Sequence, residues 1–144
     1  MSNKVLAGNN GGSCLEVPQP NKRRILVVDD EPDIASIFKI SLEYNGFEVD
    51  AYNDPLLALS SFKADFYGLL LLDIKMPGMT GFELYKELMK IDNKVKVCFL
   101  TAYDLSYDEF RLQLPALNVK CFLRKPILIP DLVKRIDLEL SHNK

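Results

Sequence analysis

The chain has 144 residues, the usual size of one globular domain, with 48% hydrophobic and 26% charged residues. Such a composition can fill a core, and it excludes a chain that is disordered throughout or collagen-like. A formal net charge of −2 argues against sequence-independent binding to nucleic-acid phosphates, and no apolar run is long enough to span a membrane.

Histidine and cysteine are too scarce for several kinds of catalytic or metal site. The only histidine is His142, which excludes a histidine-based metal site, a Cys–His pair and a Ser–His–Asp triad. The three cysteines, Cys14, Cys98 and Cys121, are too few and too scattered for a disulfide framework or a zinc site. We interpret Cys98 and Cys121, which lie in apolar runs, as small buried hydrophobic side chains. A reducing cytoplasm is the location that this cysteine usage favours.

Residues 1–22 form a polar segment with Asn-Asn-Gly-Gly, two prolines and little apolar periodicity. They lack the apolar stretch of a secretory signal, and we expect a flexible N-terminal extension. The folded domain is predicted to cover residues 23–141, with no output domain after it.

Five apolar segments with strand character alternate with five helical patterns. The predicted strands are residues 25–28, 47–52, 68–72, 95–100 and 120–124. The first, second and last helices open at Pro32, Asp54-Pro55 and Pro130-Asp131, where an acid and a proline mark a helix start. The third contains residues 82–89, and a weaker fourth pattern spans about residues 104–114 before Pro115.

This alternation predicts an α/β fold, a doubly wound parallel sheet with helices on both faces and right-handed crossovers. In such sheets, ligands bind beyond the carboxyl ends of the strands. Asp29 and Asp30 follow the first strand, Asp73 the third, Thr101 the fourth and Lys125 the fifth. All five polar groups are therefore predicted to lie at one edge of the sheet.

The chemistry of these five groups suits a phosphoryl group bound beside a metal ion. Three neighbouring carboxylates repel one another unless a cation is present, and Mg²⁺ prefers oxygen ligands. Lys125 would add a positive charge and Thr101 a hydroxyl donor for the oxygens of a phosphoryl group. Asp73, after the most apolar strand, is the best candidate for a nucleophile that forms an aspartyl phosphate.

Each residue also has a structural interpretation when it is taken alone. Asp29 and Asp30 could satisfy the N-terminus of the first helix, and Asp73 could be a turn residue. Thr101 could be an ordinary strand-end residue and Lys125 plain surface. Their joint placement at four strand ends is what favours a site.

Four motifs resemble the receiver domain of two-component response regulators, over about residues 23–140. They are Val-Val-Asp29-Asp30-Glu31-Pro32, Asp73-Ile-Lys-Met76-Pro77-Gly78-Met-Thr-Gly81, Phe-Leu-Thr101-Ala102 and Lys125-Pro126. The resemblance implies a CheY-like, flavodoxin-like fold with five strands in the order 2-1-3-4-5.

The resemblance also implies roles for the residues of the site. Asp73 would accept the phosphoryl group, and Asp30 and Asp73 would ligate Mg²⁺ together with the backbone carbonyl of Lys75. Asp29 would act on the metal mainly through water. The oxygens of the phosphoryl group would be bound by two further residues, Thr101 and Lys125.

Two further features follow from the resemblance near the fifth strand. Phe122 stands where the family keeps an aromatic residue whose rotamer couples to Thr101, although Phe lacks the hydroxyl of the Tyr often found there. Its plain interpretation is core packing. The bond between Lys125 and Pro126 is often a cis peptide in the family.

A single-domain, phosphorylation-controlled switch or relay is the function that the resemblance implies. The phosphoryl donor would be a histidine kinase or a phosphotransfer protein. A downstream protein would bind the face formed by the fourth helix, the fifth strand and the fifth helix. We expect no direct nucleic-acid binding, no membrane association and no turnover of an external substrate.

Two alternatives remain open at this stage. A haloacid-dehalogenase-like phosphatase also uses an Asp nucleophile, but its usual second Asp, two residues on, is Lys75 here. A docking module with a receiver fold but no phosphorylation is the other, although such degenerate members typically lack pocket residues. Lys75 and Tyr103 border the pocket, and we predict that these two bulky side chains influence the lifetime of the phosphoryl group.

Overall fold

A computed structural model describes residues 21–102 and 121–141, which contain five strands and four helices. The elements in chain order are β1 (Asn21–Val28), α1 (Pro32–Tyr44), β2 (Glu48–Tyr52), α2 (Pro55–Ser61), β3 (Tyr67–Asp73), α3 (Gly81–Ile91), β4 (Lys96–Thr101), β5 (Phe122–Arg124) and α4 (Ile129–Ser141). The last of them is the fifth helix predicted from the sequence. The predicted helix at residues 104–114, Tyr103 and nearly all of the predicted N-terminal extension lie outside the described residues.

The strands form one parallel sheet in the order β2-β1-β3-β4-β5. The predicted doubly wound, flavodoxin-like fold is therefore confirmed. β1 and β3 occupy the middle, where both faces of a strand are covered, and this explains their continuous aliphatic sequences. β2 and β5 are the edge strands.

Each face of the sheet contributes to a separate buried cluster. Alternate residues of β1 and β3 point to opposite faces, as Leu26 and Leu70 do relative to Ile25 and Leu69. The cluster on the first face packs against α2 and α3, and the cluster on the second face packs against α1 and α4. Full burial of one such aliphatic side chain stabilises the fold by about 1.5–3 kcal/mol. The covered faces hold the strand ends in fixed positions.

Cys98 and Cys121, at the side of the sheet formed by β4 and β5, are joined by a disulfide. Our expectation that both are simply small hydrophobic side chains is therefore wrong. Cys98 of β4 and Cys121, immediately before β5, are bonded through their sulfur atoms, with their Cα atoms 4.6 Å apart. Both are completely or almost completely buried, as predicted. The parallel register of β4 and β5 places residue 98 beside residue 121, and a spacing of 23 residues alone does not reveal such a register.

The four helices of the described segments are short. Within residues 21–102 and 121–141, none is long and apolar enough to cross a membrane.

Candidate functional site

Carboxylate side chains from two strands meet at the carboxyl edge of the sheet. Asp29 directly follows β1, and Asp73 is the last residue of β3, the neighbouring strand. One carboxylate oxygen each from Asp29, Asp30 and Asp73 lies within 4.8 Å of the other two. Asp29 and Asp73 are buried, whereas Asp30 is half-buried. The structure therefore brings together the three acidic residues that the sequence predicts at this edge.

Lys125 points into the acidic cluster from the end of β5. Its Nζ donates a hydrogen bond to Asp29 Oδ2 at 2.6 Å and lies 3.7 Å from Asp73 Oδ1. It also lies 3.8 Å from Oε1 of Glu31, whose side chain is 66% exposed. Burial lowers the pKa of Lys125, but the hydrogen bond to Asp29 and the charges of Asp73, Asp29 and Glu31 outweigh it and raise the pKa overall. The lysine is therefore held in its charged form.

Asp73 binds its proton more tightly than an ordinary aspartate. Burial and the negative charge of Asp29 raise its pKa from 3.8 to about 7, although the charge of Lys125 opposes the shift. A hydrogen bond to Asp30 and the charge of that residue raise the pKa further. The cluster thus carries more negative charge than Lys125 alone neutralises, and a bound cation would favour the ionised form of Asp73.

Asp29 combines a structural contact with its place in the cluster. Its Oδ1 accepts a hydrogen bond from the backbone N–H of Glu31 at 3.0 Å, next to the start of α1. Glu31 is the N-cap residue but makes no side-chain capping bond. The alternative of an acid at the helix N-terminus therefore applies in part to Asp29, while its second oxygen contacts Lys125.

Thr101 and Lys125 are connected through the backbone. Thr101 is buried at the end of β4, and its carbonyl oxygen accepts a hydrogen bond from the N–H of Lys125 at 2.8 Å. Asp73 pairs with Leu100 in the register of β3 and β4, so Thr101 lies one residue beyond the partner of Asp73. The five residues predicted from strand ends therefore occupy one region.

Phe122 and Lys75 lie at the margin of this region. Phe122 is half-buried and stacks on Phe99, with ring centroids 5.7 Å apart and an interplanar angle of 22°. This stacking fits the plain interpretation of Phe122 as a packing residue. The side chain of Lys75 is exposed in the loop after β3.

The loop between β3 and α3 requires glycine where it passes close to Asp73. A Cβ atom at Gly81 would overlap the backbone carbonyl oxygen of Asp73. The N–H of Gly81 donates to the carbonyl of Ile74 at 2.9 Å, and Thr80 and Glu83 form a capping box at the start of α3. The start of α3 is therefore packed directly against the backbone that presents Asp73.

We expect Gly81→Ala to lower the free energy of unfolding by about 1–3 kcal/mol, because the added methyl group forces the two backbones apart. Urea unfolding at equilibrium measures the change. Gly78→Ala is the matched control, since Gly78 has φ +82° but open space around its Cα. That substitution is expected to cost about 1 kcal/mol from the backbone conformation alone. A Gly81→Ala variant as stable as the wild type would contradict this account of the loop.

The donor set fits a small, hard cation. Mg²⁺ takes oxygen ligands and is often held by one or two carboxylates while it keeps several waters. The cluster offers three carboxylates, and the raised pKa of Asp73 indicates that their negative charge is incompletely compensated. The half-buried position of Asp30 leaves one side of the cluster open to solvent.

Residues 25–137 match the response regulator receiver domain family. The chain belongs to this family. It is a response regulator receiver domain. The peptide bond between Lys125 and Pro126 is cis, as the resemblance to the family implied.

Two solved receiver structures illustrate the similarity. The CheY-like receiver domain protein of Methanospirillum hungatei is 31% identical, with a TM-score of 0.71, over 83% of this chain and 94% of its own. The response regulator TrrA of Thermotoga maritima, solved in complex with Mg²⁺-BeF, is 32% identical, with a TM-score of 0.67. That match covers 81% of this chain and 98% of TrrA.

Curated relatives of this receiver domain are named as transcriptional regulators. The uncharacterized transcriptional regulatory protein YkoG of Bacillus subtilis is 34% identical over 85% of this chain and 53% of its own length. TrcR of Mycobacterium tuberculosis is 31% identical over 78% of this chain and 43% of its own length. The chain therefore spans about half the length of these relatives.

Two features of the site were not predicted from the sequence. Glu31 contributes a fourth carboxylate near Lys125, and the Asp29-Asp30-Glu31 run was a signal that could have found it. The disulfide links β4, which ends at Thr101, to Cys121, the residue directly before β5. For the disulfide, only the strand register supplies the necessary information.

Proposed function

We propose that this receiver domain accepts a phosphoryl group on Asp73 from a phosphohistidine of a histidine kinase or phosphotransfer protein. The observation that carries the proposal is the position of Lys125 Nζ, 2.6 Å from Asp29 and 3.7 Å from Asp73, inside a cluster of three carboxylates. Such an arrangement can bind a dianionic group beside a nucleophilic carboxylate once a cation offsets the acidic charge.

In the proposed transfer, an ionised carboxylate oxygen of Asp73 attacks the phosphorus atom. The new P–O bond forms as the P–N bond to the donor histidine breaks, and the bonding electrons return to the imidazole. Lys125 pairs with the negative oxygens of the phosphoryl group, and the hydroxyl of Thr101 donates a hydrogen bond to one of them. Burial of Asp73 limits the access of water to the reacting carboxylate.

Mg²⁺ is part of the proposal. Asp30, Asp73 and the backbone carbonyl of Lys75 would hold it directly, and Asp29 would contact it mainly through water. When bound, the ion supplies charge neutralisation for the carboxylates and for the transferred phosphoryl group. The solved complex of TrrA with Mg²⁺-BeF supports this assignment by similarity.

Phosphorylation would act as a switch because it adds about −1.5 to −2 charge and three acceptor oxygens at Asp73. Thr101 would move toward them, and Phe122 is proposed to respond, shifting the population of the conformation offered to a partner. The proposed output face is the one predicted from the sequence. It is formed by the helix predicted at about residues 104–114, by β5, and by α4, which is the fifth helix predicted from the sequence. We predict from the sequence that the target is a protein and not a nucleic acid. The curated relatives are named as transcriptional regulators, and their names do not support this prediction.

The proposal concerns residues 23–141 as the receiver domain, with residues 1–22 before it. The family match over residues 25–137 supports this assignment, although β1 already begins at Asn21, two residues before the proposed boundary. A cytoplasmic location stays a prediction from the sequence.

Intact-mass measurement after incubation with a small acyl phosphate tests the proposal. We expect one phosphoryl adduct on the wild type with Mg²⁺, none with a chelator and none on Asp73→Asn. Asp92→Asn is the control, because Asp92 is also buried but lies in the turn between α3 and β4, where it accepts backbone hydrogen bonds. It should keep the adduct. No adduct on the wild type, even from a phosphorylated kinase, would favour a phosphorylation-independent docking module.

A further inference from the structure

The disulfide between Cys98 and Cys121 joins β4 to the residue directly before β5, inside the core. Cys98 is 0% exposed and Cys121 is 1% exposed, and both belong to the cluster on the face covered by α1 and α4. The adjacent backbone groups are paired as well, since the N–H of Phe99 donates to the carbonyl of Cys121 at 3.0 Å. The disulfide therefore fixes the start of β5 against β4.

The position of the disulfide relates it directly to the proposed phosphorylation site. Cys98 lies three residues before Thr101 on β4, and Cys121 lies four residues before Lys125. At the other end of β5, the carbonyl oxygen of Thr101 accepts a hydrogen bond from the backbone N–H of Lys125. A covalent bond at the start of β5 and a hydrogen bond at its end therefore hold the segment that presents Lys125 to Asp29 and Asp73.

β5 is the strand of this sheet that we expect to separate most easily. It has three residues, and among the strands in residues 21–102 and 121–141 it pairs only with β4, at the edge of the sheet. Short edge elements with few ladder hydrogen bonds open locally at a lower free-energy cost than central strands. Without the disulfide, the position of Lys125 would depend on this short ladder and on its ion pairs.

We propose that Cys98 and Cys121 are a reversible redox modification site whose oxidised state fixes Lys125 for phosphoryl transfer. This inference rests on the proposed function of Asp73. Disulfides are uncommon in reducing compartments, where they are usually transient, catalytic or redox-sensing. The proposed histidine kinase partner of this receiver domain would act on it in a reducing cytoplasm, so a pair that forms and opens is the expected behaviour.

The reaction partner is a small or protein disulfide of the glutathione or thioredoxin class. In the first step, a thiolate of the reduced pair attacks the external disulfide, giving a mixed disulfide and releasing one thiol. The second cysteine then displaces the remaining thiol, so the pair loses two electrons and two protons to the two released thiols. Because both sulfur atoms are buried, exchange requires local separation of β5 from β4.

The oxidised state is expected to have two measurable consequences. The backbone amides of β5 should exchange with solvent at least about tenfold more slowly, because the covalent bond opposes separation of the strand. Phosphoryl acceptance from a small acyl phosphate should be at least about threefold faster, because Lys125 is already held beside the nucleophile.

The first experiment uses the full chain equilibrated in glutathione buffers from fully reduced to fully oxidised, approached from both directions. Unfolding in the presence of an alkylating reagent, followed by mass analysis, counts the thiols. We expect Cys98 and Cys121 to change together while Cys14 remains alkylated, and Cys14→Ser to behave as the wild type. A pair that never forms, or that never opens at any glutathione ratio, overturns the proposal.

The second experiment compares the oxidised and reduced wild type by amide exchange of β5 and by the rate of phosphoryl acceptance. Equal exchange rates, or acceptance that is equal or slower in the oxidised protein, overturn the proposal. If neither redox state accepts a phosphoryl group, the function proposed for Asp73 fails. The exchange rates alone then decide whether the disulfide holds β5 against β4. A Cys98→Ala/Cys121→Ala variant should match the reduced protein in both assays, and the two wild-type states suffice if it does not fold.

Discussion

Asp73→Asn is expected to abolish phosphoryl acceptance and, in the metal-free protein above pH 7, to increase the free energy of unfolding. The loss of acceptance follows because a carboxamide has no anionic oxygen to attack phosphorus. The gain in stability follows from the raised pKa of Asp73, whose ionised form is disfavoured by burial and by the charge of Asp29. One substitution should therefore change activity and stability in opposite directions.

The sign of the pH dependence follows from the two pKa values of Asp73. The folded protein holds the proton up to about pH 7, whereas the ordinary value is 3.8. Between these values the folded state binds more protons than the unfolded state, so this group's stabilising contribution is present at low pH and is lost as the pH rises. The advantage of Asp73→Asn should therefore grow from about pH 4 to pH 7 and reach on the order of 4 kcal/mol at most, less where solvent screens the group.

Urea unfolding in a chelator at several pH values measures this difference between the wild type and the variant. Mg²⁺ at pH 8 should reduce it, because a bound cation stabilises the ionised cluster of the wild type. Asp92→Asn provides a control of the opposite sign. Asp92 accepts backbone hydrogen bonds from Asp65 and Lys94, both at 3.0 Å, so its replacement should destabilise the protein by about 1–3 kcal/mol. A pH-independent difference for Asp73→Asn would contradict the electrostatic account.

The sequence was sufficient to locate the carboxyl edge of the sheet, for a definite physical reason. A strand buried on both faces reads as a continuous apolar run, so the polar residues that end or directly follow β1, β3 and β4 are visible as Asp29, Asp73 and Thr101. Parallel strands then place those ends at one edge, whatever the lengths of the connections. The fold and the positions of the site residues followed from that rule, while their catalytic and metal-binding roles remain proposals.

Features that depend on lateral register or on side-chain reach could not be obtained in the same way. The disulfide depends on residue 98 lying beside residue 121 across two strands, and hydrophobic periodicity does not encode that alignment. The contact of Lys125 with Glu31 depends on how far two long side chains extend. The sequence also could not show that Asp29 has both a capping contact and a place in the site. In the structure, its Oδ1 accepts a hydrogen bond from the N–H of Glu31, and its Oδ2 accepts one from Lys125.

Lys125→Met is expected to destabilise the metal-free protein by about 3–5 kcal/mol at neutral pH, the largest loss of stability among the substitutions considered. The ammonium group makes a 2.6 Å hydrogen bond to Asp29, which is completely buried, and its own side chain is only 12% exposed. Methionine retains most of the apolar stem and removes the charge. The cost is therefore that of leaving a buried carboxylate without its cation, rather than that of opening a cavity.

The destabilisation should depend on pH and on Mg²⁺ in a defined manner. Lys125 lowers the pKa of Asp73, so its loss raises that pKa further and increases the cost of ionising the cluster. The difference between Lys125→Met and the wild type should therefore shrink as the pH falls below 7 and Asp73 takes up its proton. Added Mg²⁺ should recover part of the lost stability at pH 8, because it supplies the missing positive charge.

Lys94→Met is the matched control for this experiment. Lys94 pairs with Asp65 at 3.5 Å, but its side chain is 78% exposed and that of Asp65 is 58% exposed. Exposed ion pairs contribute about 0–1 kcal/mol, so the same substitution there should have little effect at any pH. Similar losses for the two lysine variants, or a loss at Lys125 that does not change with pH, would show that Lys125 supports the fold by packing and not by neutralising the acidic cluster. The proposed pairing of Lys125 with a phosphoryl group would then lose its electrostatic basis.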